Sequence, residues 1–265
     1  RFHAILSAVT NADSIRLHIM RCVCECLFFG GCMKQFKAAL HYFTKGELLL
    51  WFGSVLVIVA SFCLFDRDSY LTLTASLIGV TSLIFTAIGN PFGQLLMVIF
   101  SLLYGIISYT FCYYGEMITY LGMTMPMSVF ALLSWIKNPY EPDKLEVKVN
   151  HRLPRLEWGF MWVLTLLVTT LFYFILDYFN TANLIPSTIS VTTSFIAVYL
   201  TFRRSPYYAI GYAANDIVLI VLWVLATLED ISYLSVVVCF IAFLVNDLYG
   251  FINWCRMGKR QANNK

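Results

Sequence analysis

Charged residues are scarce in this sequence. Of its 265 residues only 12% are Asp, Glu, Lys or Arg, whereas 60% are hydrophobic. A soluble domain carries about a quarter charged residues, so this composition excludes one. Several apolar runs of about 18 residues or more indicate helices long enough to cross a bilayer. The sequence therefore predicts an all-α integral membrane protein.

Motifs for ATP hydrolysis and for common hydrolase chemistry are absent. No G-x4-G-K-[ST] phosphate loop occurs, and neither H-E-x-x-H nor G-x-S-x-G is found. The four histidines all lie outside the apolar runs, which excludes a histidine proton relay within the membrane. The basic segments adjoin the apolar runs, where they suit lipid headgroups better than nucleic acid. We expect no enzymatic activity, no cofactor and no nucleic-acid partner.

The eight cysteines do not predict a disulfide framework. Four of them lie within or at the ends of apolar runs, where a thiol behaves as a small hydrophobe: Cys63, Cys112, Cys239 and Cys255. The C-x-C-x-C run at residues 22–26 lacks the C-x2-C spacing of a structural zinc site. We therefore expect no metal site.

Eight membrane spans are predicted, separated by turns that contain Pro, Gly or charged residues. They lie near 47–65, 71–89, 91–113, 116–136, 157–177, 184–202, 206–228 and 231–255. The predicted organisation is an N-terminal cytoplasmic or interfacial segment 1–46, an extra transmembrane helix 47–66, a three-helix bundle 70–136, a cytoplasmic loop 137–156, a linking helix 157–179, a second three-helix bundle 184–255 and a cytoplasmic tail 256–265. The odd, cysteine-rich composition of the first residues also leads us to expect Met33 as the native start.

Basic residues divide unequally between the two sides of these spans. All but one of the 18 Lys and Arg residues fall on the side that holds both termini, and Arg67 is the exception. Loops on the other side carry acidic residues instead, including Asp66, Asp177 and Asp230. Because cytoplasmic loops are enriched in Lys and Arg, we expect both termini in the cytoplasm and the protein in the inner membrane of a bacterium.

Two Asn-Asp pairs lie in the middle of the last two spans, at Asn215-Asp216 and Asn246-Asp247. We expect Asp216 and Asp247 to be the only charged residues inside the apolar runs. An ionisable group in hydrocarbon costs roughly 2.5–3.5 kcal/mol on insertion scales, so such groups usually face a bundle interior or a water-filled cavity. The two pairs therefore predict a ligand site between neighbouring helices.

Helical spacing extends this candidate site. Tyr208, Tyr212 and Asn215 share one face of their helix, and Asn246, Tyr249 and Asn253 share one face of the next. Aromatic rings beside amides suit a flat, polar ligand. The alternative is that the amides and carboxylates only bond each other between helices, as polar groups in membrane bundles commonly do.

Spans two to four resemble spans six to eight. Asn90-Pro91 and Ser205-Pro206 begin equivalent helices, and Tyr114 and Tyr233 each stand 21 residues before a tryptophan. Three helices, one linking helix and three more give both units the same orientation, so the repeat is parallel. Transporters with repeats of this kind hold their substrate near the midplane between the units.

The motifs P-Y-Y-x-x-x-Y-x-x-N-D from Pro206 and N-D-L-Y-G-F-I-N-W from Asn246 resemble those of the PnuC family of vitamin transporters. The resemblance covers residues 70–256. It implies a 3+1+3 SWEET-like helical bundle with parallel repeats, to which this chain adds one N-terminal transmembrane helix. It also implies that the protein is a homotrimer. Its substrate would be nicotinamide riboside, an NAD precursor, which it would carry by facilitated diffusion with alternating access. Transport would be functionally coupled to a cytoplasmic riboside kinase.

Carried over to this chain, the resemblance assigns substrate amides to Asn215 and Asn246 and a polar stripe to the first-repeat helix. The substrate is a flat cation, for which aromatic faces, amides and negative potential are suitable partners. Together with the spacing argument, this gives the candidate substrate-binding residues: Gln94, Ser101, Tyr104, Tyr208, Tyr212, Asn215, Asp216, Trp223, Asn246, Asp247, Tyr249 and Asn253.

Three other functions fit parts of the pattern. Thiamine or another vitamin is an alternative substrate, because thiamine is also a flat cation. Asp216 and Asp247 would suit a coupling proton or sodium ion, which would make the protein an ion-coupled symporter. A non-transporting membrane scaffold or a channel would use the Asn-Asp pairs only to join helices.

Overall fold

The computed structural model of the protein describes residues 43–67, 69–110, 114–141, 145–150, 152–181, 183–228 and 230–263. The N-terminal segment before residue 43, with its Cys-x-Cys-x-Cys run and Met33, lies outside the described residues. The helices are α1 Lys45–Phe65, α2 Tyr70–Ala87, α3 Phe92–Thr110, α4 Tyr114–Ile118, a π turn Thr119–Thr124, α5 Met125–Ile136, α6 Arg155–Tyr178, α7 Leu184–Phe202, α8 Tyr208–Thr227, a 3-10 turn Ile231–Tyr233 and α9 Leu234–Asn263.

These elements form eight helical spans that are long and apolar enough to cross a membrane. Span four consists of α4, the π turn and α5 in series, and span eight consists of the 3-10 turn and α9. Large apolar side chains remain exposed along α1 and α6, including Leu56, Phe160 and Leu167, as expected for helices that face lipid. The predicted eight-span, all-α membrane fold is confirmed.

Six of the spans pack in a ring. Each helix contacts the next in the order α2, α3, α5, α7, α8 and α9, and α9 returns to α2. Helix α6, which joins the two three-helix units, lies outside the ring against α7. The ring has an interior that neighbouring helices from both units enclose, and the polar residues discussed below lie between its helices.

The first helix of each unit ends in the same kind of turn. Gly89 has a positive φ of 72° and Arg204 one of 58°. The next residue in each case donates a backbone hydrogen bond to the carbonyl five residues back, from Asn90 to Phe85 O and from Ser205 to Leu200 O. This left-handed ending satisfies the last carbonyls of a helix, and the proline that follows it starts the next helix.

Two buried tryptophans join the units at these turns. Trp135 Nε1 donates to Thr201 O at 2.8 Å, and Trp254 Nε1 donates to Thr86 O at 2.9 Å. The third helix of each unit is thereby fastened to the end of the first helix of the other. The two indole rings also contact each other, with centroids 5.2 Å apart. These reciprocal bonds support the predicted parallel repeat.

The π turn interrupts span four where Pro126 follows it, near the start of α5. Proline has no N–H to donate and its ring crowds the carbonyl four residues earlier, so a regular α-helix cannot run through this point. Single π turns within helices occur frequently at functional sites. This turn widens the helix beside Thr119 and Tyr120, whose side chains border an internal void.

Helix α1 begins with a capping box and is fastened to the ring by two polar contacts. Thr44 N donates to Glu47 Oε2 at 2.7 Å, which is the reciprocal pairing expected at a helix start. Further along α1, Trp51 Nε1 donates to Thr81 on α2, and Ser54 accepts from Asn246 on α9. The extra N-terminal span therefore packs on the two helices where the ring closes.

The last helix extends beyond its predicted end. The predicted span eight ends at 255 and is followed by a predicted tail at 256–265, because charged residues begin there. In the structure α9 continues to Asn263. The charged side chains of the added turns, Arg256, Lys259 and Arg260, are exposed, whereas Met257 and Gln261 are buried. Gln261 bonds the backbone of Val147 and Val149, and these bonds hold the extra turns in place.

The turns divide between two faces of the bundle. The α2–α3 and α7–α8 turns, residues 145–150 and the end of α9 lie on one face, here called the basic face because it carries Arg203, Arg204 and Arg260. The opposite face, here called the acidic face, carries Asp66 and Asp230. The predicted cytoplasmic position of the basic face remains a prediction.

Candidate substrate site

The two intramembrane aspartates meet between α8 and α9. Asp216 and Asp247 are each 4% exposed, and their carboxyl groups lie within hydrogen-bonding reach of each other. Asp216 Oδ2 makes no hydrogen bond to any described residue. Two carboxyl groups held together in a buried place leave oxygens available to a ligand or an ion.

The neighbouring amides point in other directions. Asn215 Oδ1 accepts hydrogen bonds from Ser190 and Thr193 on α7, each at 3.0 Å. Asn246 Nδ2 donates to Ser54 on α1 and to Ala242 O. The structure therefore does not bring the two amides together, and each bonds a neighbouring helix. Asn246 Oδ1 is buried and has no partner among the described residues.

Tyrosines surround the aspartate pair. Tyr212 lies close to both carboxyl groups, and Tyr208, one turn earlier on α8, lies close to Asp247. The Tyr208 ring also packs on Trp254, with centroids 4.9 Å apart. Tyr208 thus extends from the aspartate pair to the closed basic end of the ring.

The remaining polar candidates stabilise helix contacts. Gln94 Nε2 donates to Thr86 at 3.3 Å, and Asn253 Nδ2 donates to Ala87 O at 2.9 Å, so both join helices at the basic end. Ser101 donates to Met97 O within its own helix. Tyr249 is half-buried on α9. None of these four lines the larger of the two cavities described next.

A cavity of about 390 Å³ opens at the acidic face; it is called the outer cavity here. Two of the predicted site residues, Tyr104 and Trp223, line it. Its other lining residues include the acidic Asp66, Glu116 and Asp230, the ring of Tyr233, and the hydroxyls of Ser69, Thr72, Ser108 and Ser232. Among the described residues, no Lys or Arg lines it. Its volume lies within the range of about 300–1,000 Å³ typical of small-molecule sites.

Charge at the rim of the outer cavity is negative. Backbone and side-chain hydrogen bonds from Ser232 hold the pKa of the Asp230 carboxyl below its ordinary value. Asp230 is therefore ionised at neutral pH. Asp66 lies at the same rim and accepts a hydrogen bond from Ser69 N.

Glu116 was not among the predicted site residues, although the predicted span four begins with it. Glu116 lies within helix α4, inside span four, and borders both the outer cavity and a smaller internal void of about 30 Å³. That void has room for water but not for a nucleoside. Tyr120, one turn further, lies close to both Glu116 and Asp216. It was not a predicted site residue either.

A helical signal for these two residues was present in the sequence. Glu116 and Tyr120 are four residues apart, the spacing that places side chains on one helical face. Their role was hidden because Gly115 next to an acidic residue is also typical of a turn.

Comparisons with known proteins agree on one family. The family model of the nicotinamide mononucleotide transporter matches residues 69–256. A nicotinamide riboside transporter PnuC from Neisseria mucosa is 27% identical over 218 residues, which cover 80% of this chain and 82% of that protein. A structure described as the crystal structure of the vitamin B3 transporter PnuC has a fold similar to this one, with a TM-score of 0.71, 24% identity and coverage of 83% of this chain and 94% of that one.

The matched residues begin at the start of α2 and end within α9, so they include α6, all the predicted site residues and every lining residue of the outer cavity except Asp66. Helix α1 and the residues before it lie outside the match. The chain is a multi-pass membrane protein that belongs to the nicotinamide mononucleotide transporter family, together with the PnuC transporters.

Proposed function

We propose that the protein takes up nicotinamide riboside by facilitated diffusion. The observation that carries the proposal is the outer cavity, which combines carboxyl groups, aromatic rings and hydroxyls in a volume of about 390 Å³. A pyridinium ring is a flat cation, and aromatic faces attract cations by about 0.5–2 kcal/mol. The ribose hydroxyls find several donors and acceptors there.

The charge of the outer cavity favours the nucleoside over its phosphorylated form. Phosphate sites in proteins are commonly built from Arg, Lys or helix N-termini. No basic side chain among the described residues lines the outer cavity, and three carboxyl groups do. The riboside of the Neisseria relative therefore suits this cavity better than the mononucleotide of the family description.

Alternating access gives the proposed route. The outer cavity opens at the acidic face, whereas the basic end is closed by the Trp135–Trp254 contact and the turns it fastens. In the proposed cycle the substrate moves from the outer cavity past Asp216 and Asp247, and the tryptophan contact then separates. The amides Asn215 and Asn246, with the other candidate residues, would contact the substrate once the helices have moved.

The same proposal includes the orientation of the protein in the membrane, its assembly and a coupled enzyme. The basic face would lie in the cytoplasm, with both termini there, and the acidic face would lie outside the inner membrane. The active form would be a homotrimer. A cytoplasmic riboside kinase would phosphorylate the imported riboside and so keep its internal concentration low.

The contact between Asp216 and Asp247 favours a second candidate function, an ion-coupled symporter. Buried carboxyl groups are what a carrier uses to bind a coupling proton or cation. Asp216 Oδ2, which lacks a partner among the described residues, is available for this role. Dependence of transport on a proton or sodium gradient separates the two mechanisms.

Binding to the purified protein tests the substrate. Isothermal titration with nicotinamide riboside, thiamine and nicotinamide mononucleotide should give saturable binding of the riboside and binding of the mononucleotide weaker by at least about tenfold. Tighter binding of thiamine would assign the protein to the alternative vitamin. Absence of binding for all three would contradict the proposed carrier and favour a scaffold.

A further inference from the structure

We propose that Glu116, Ser108 and Trp223 form an outer subsite for organic cations, in which the Glu116 carboxylate is the counter-ion of the positively charged ring. The inference rests on the proposed function, since it takes nicotinamide riboside as the ligand. It adds a specific location at which the charge of the substrate is recognised, outside the region of the Asn-Asp pairs.

Glu116 is the available acid of the three in the outer cavity. Asp66 accepts from Ser69 N, and Asp230 accepts from Ser232 N, so both carboxylates also stabilise turns. Glu116 lies within a membrane span, near the end of that span at the acidic face, and is only partly exposed. No Lys or Arg of the described residues forms an ion pair with it. A carboxylate inside a membrane span without a cationic partner is unfavourable. A bound cation would supply that partner.

Ser108 gives an independent indication of a ligand. Its side chain is only 1% exposed and lines the outer cavity beside the Glu116 carboxyl. Its hydroxyl makes no hydrogen bond of normal geometry to any described residue. A ligand that forms a well-aligned hydrogen bond with this buried hydroxyl would satisfy it.

Trp223 supplies an aromatic face and a donor to the same site. Its ring lies 5.4 Å from that of Tyr233, centroid to centroid, and both rings line the outer cavity. Trp223 Nε1 is buried beside the Tyr104 hydroxyl and makes no well-aligned hydrogen bond to any described residue. The ring can hold a cation by its face, and the N–H can donate to a carboxamide or hydroxyl oxygen of the ligand.

The subsite also leads inward. Glu116 borders the internal void as well as the outer cavity, and Tyr120 lies close to the carboxyl groups of both Glu116 and Asp216. A cation held at Glu116 is therefore one aromatic side chain away from the aspartate pair. A series of carboxyl groups offers a cation successive favourable positions. The cation can therefore move inward without an external energy source.

A pair of ligands that differ only in charge tests this subsite. Nicotinamide riboside is a cation, whereas its dihydro form has the same groups and no charge. In Glu116→Gln, which keeps the size of the side chain, we expect the affinity for the riboside to fall by about tenfold, while the affinity for the dihydro form changes little. The matched control is Asp177→Asn, which removes an exposed acid at the end of α6 and should change neither affinity.

The outcomes distinguish this inference from the proposed function. If the unmodified protein binds neither form, the proposed function fails. If it binds the riboside but Glu116→Gln weakens both forms equally, or neither, the counter-ion role is wrong while the function stands. A second measurement needs no variant: the 1-methylnicotinamide cation should compete for the unmodified protein at a concentration at least about tenfold lower than neutral nicotinamide. Equal competition would overturn the subsite.

Discussion

At the scale of single residues, the structure gives different roles to neighbours in the sequence. Asp216 and Asp247 face each other, whereas Asn215 and Asn246 bond α7 and α1. The sequence could predict that these four polar residues lie inside the bundle, because an ionisable group facing lipid is costly. It could not predict which way each side chain points, since adjacent helical residues differ by about 100° and the packing partners are distant in the chain.

Variants at Asn246 and its partner distinguish a role in substrate binding from a role in helix packing. Its Nδ2 bonds Ser54, while its buried Oδ1 has no partner among the described residues. We expect Asn246→Ala to weaken nicotinamide riboside binding by about tenfold, because a ligand would lose the Oδ1 acceptor. The matched variant Ser54→Ala removes the same bond to α1 and should leave the affinity within about twofold.

Titration calorimetry of both variants measures this difference, and thermal unfolding in detergent verifies that each is folded. Equal losses of affinity in the two variants would mean that Asn246 acts only by joining α1 to α9.

At the scale of helices, the sequence predicts most boundaries within a few residues. The bounds of α2, α6 and α7 follow from long apolar runs that end at Pro, Gly or charged residues. These residues are favoured in turns and disfavoured in helices that face lipid. One feature was missed because it depends on contacts between distant parts of the chain. The extra turns of α9 are held by Gln261 against residues 145–150.

Glycine determines how closely the helices approach. A Cβ on Gly211 of α8 would lie 2.9 Å from Ala197 Cα on α7, whereas a Cβ on Gly159 of α6 would meet nothing within 4 Å. Small residues of this kind allow helix backbones to pack closely in membranes.

Alanine at these two glycines should have opposite effects. We expect Gly211→Ala to lower the free energy of unfolding by about 1–3 kcal/mol, because α7 and α8 must move apart. Gly159→Ala should be neutral or stabilising by up to about 1 kcal/mol, because alanine favours a helix over glycine. Thermal unfolding of the purified variants compares them, and a more stable Gly211→Ala would contradict the close α7–α8 contact.

At the scale of the whole molecule, the two units meet through reciprocal bonds at one end and leave a cavity at the other. The unequal distribution of charge and the matching Asn-Pro and Ser-Pro turns allowed the two faces and the repeat to be predicted from sequence. The position of the outer cavity could not be predicted, because its lining comes from three separate stretches of the chain, represented by Asp66, by Glu116 and by Trp223 with Asp230. Only the closed ring of helices brings them together.

The account as a whole makes the protein a carrier that equilibrates a cation across the membrane. In proteoliposomes with the membrane potential held at zero, uptake of labelled nicotinamide riboside should be saturable and should stop when the inside concentration equals the outside concentration. An imposed proton or sodium gradient should leave that end point unchanged. Accumulation above the outside concentration under either gradient, or uptake no faster than in liposomes without the protein, would contradict the account.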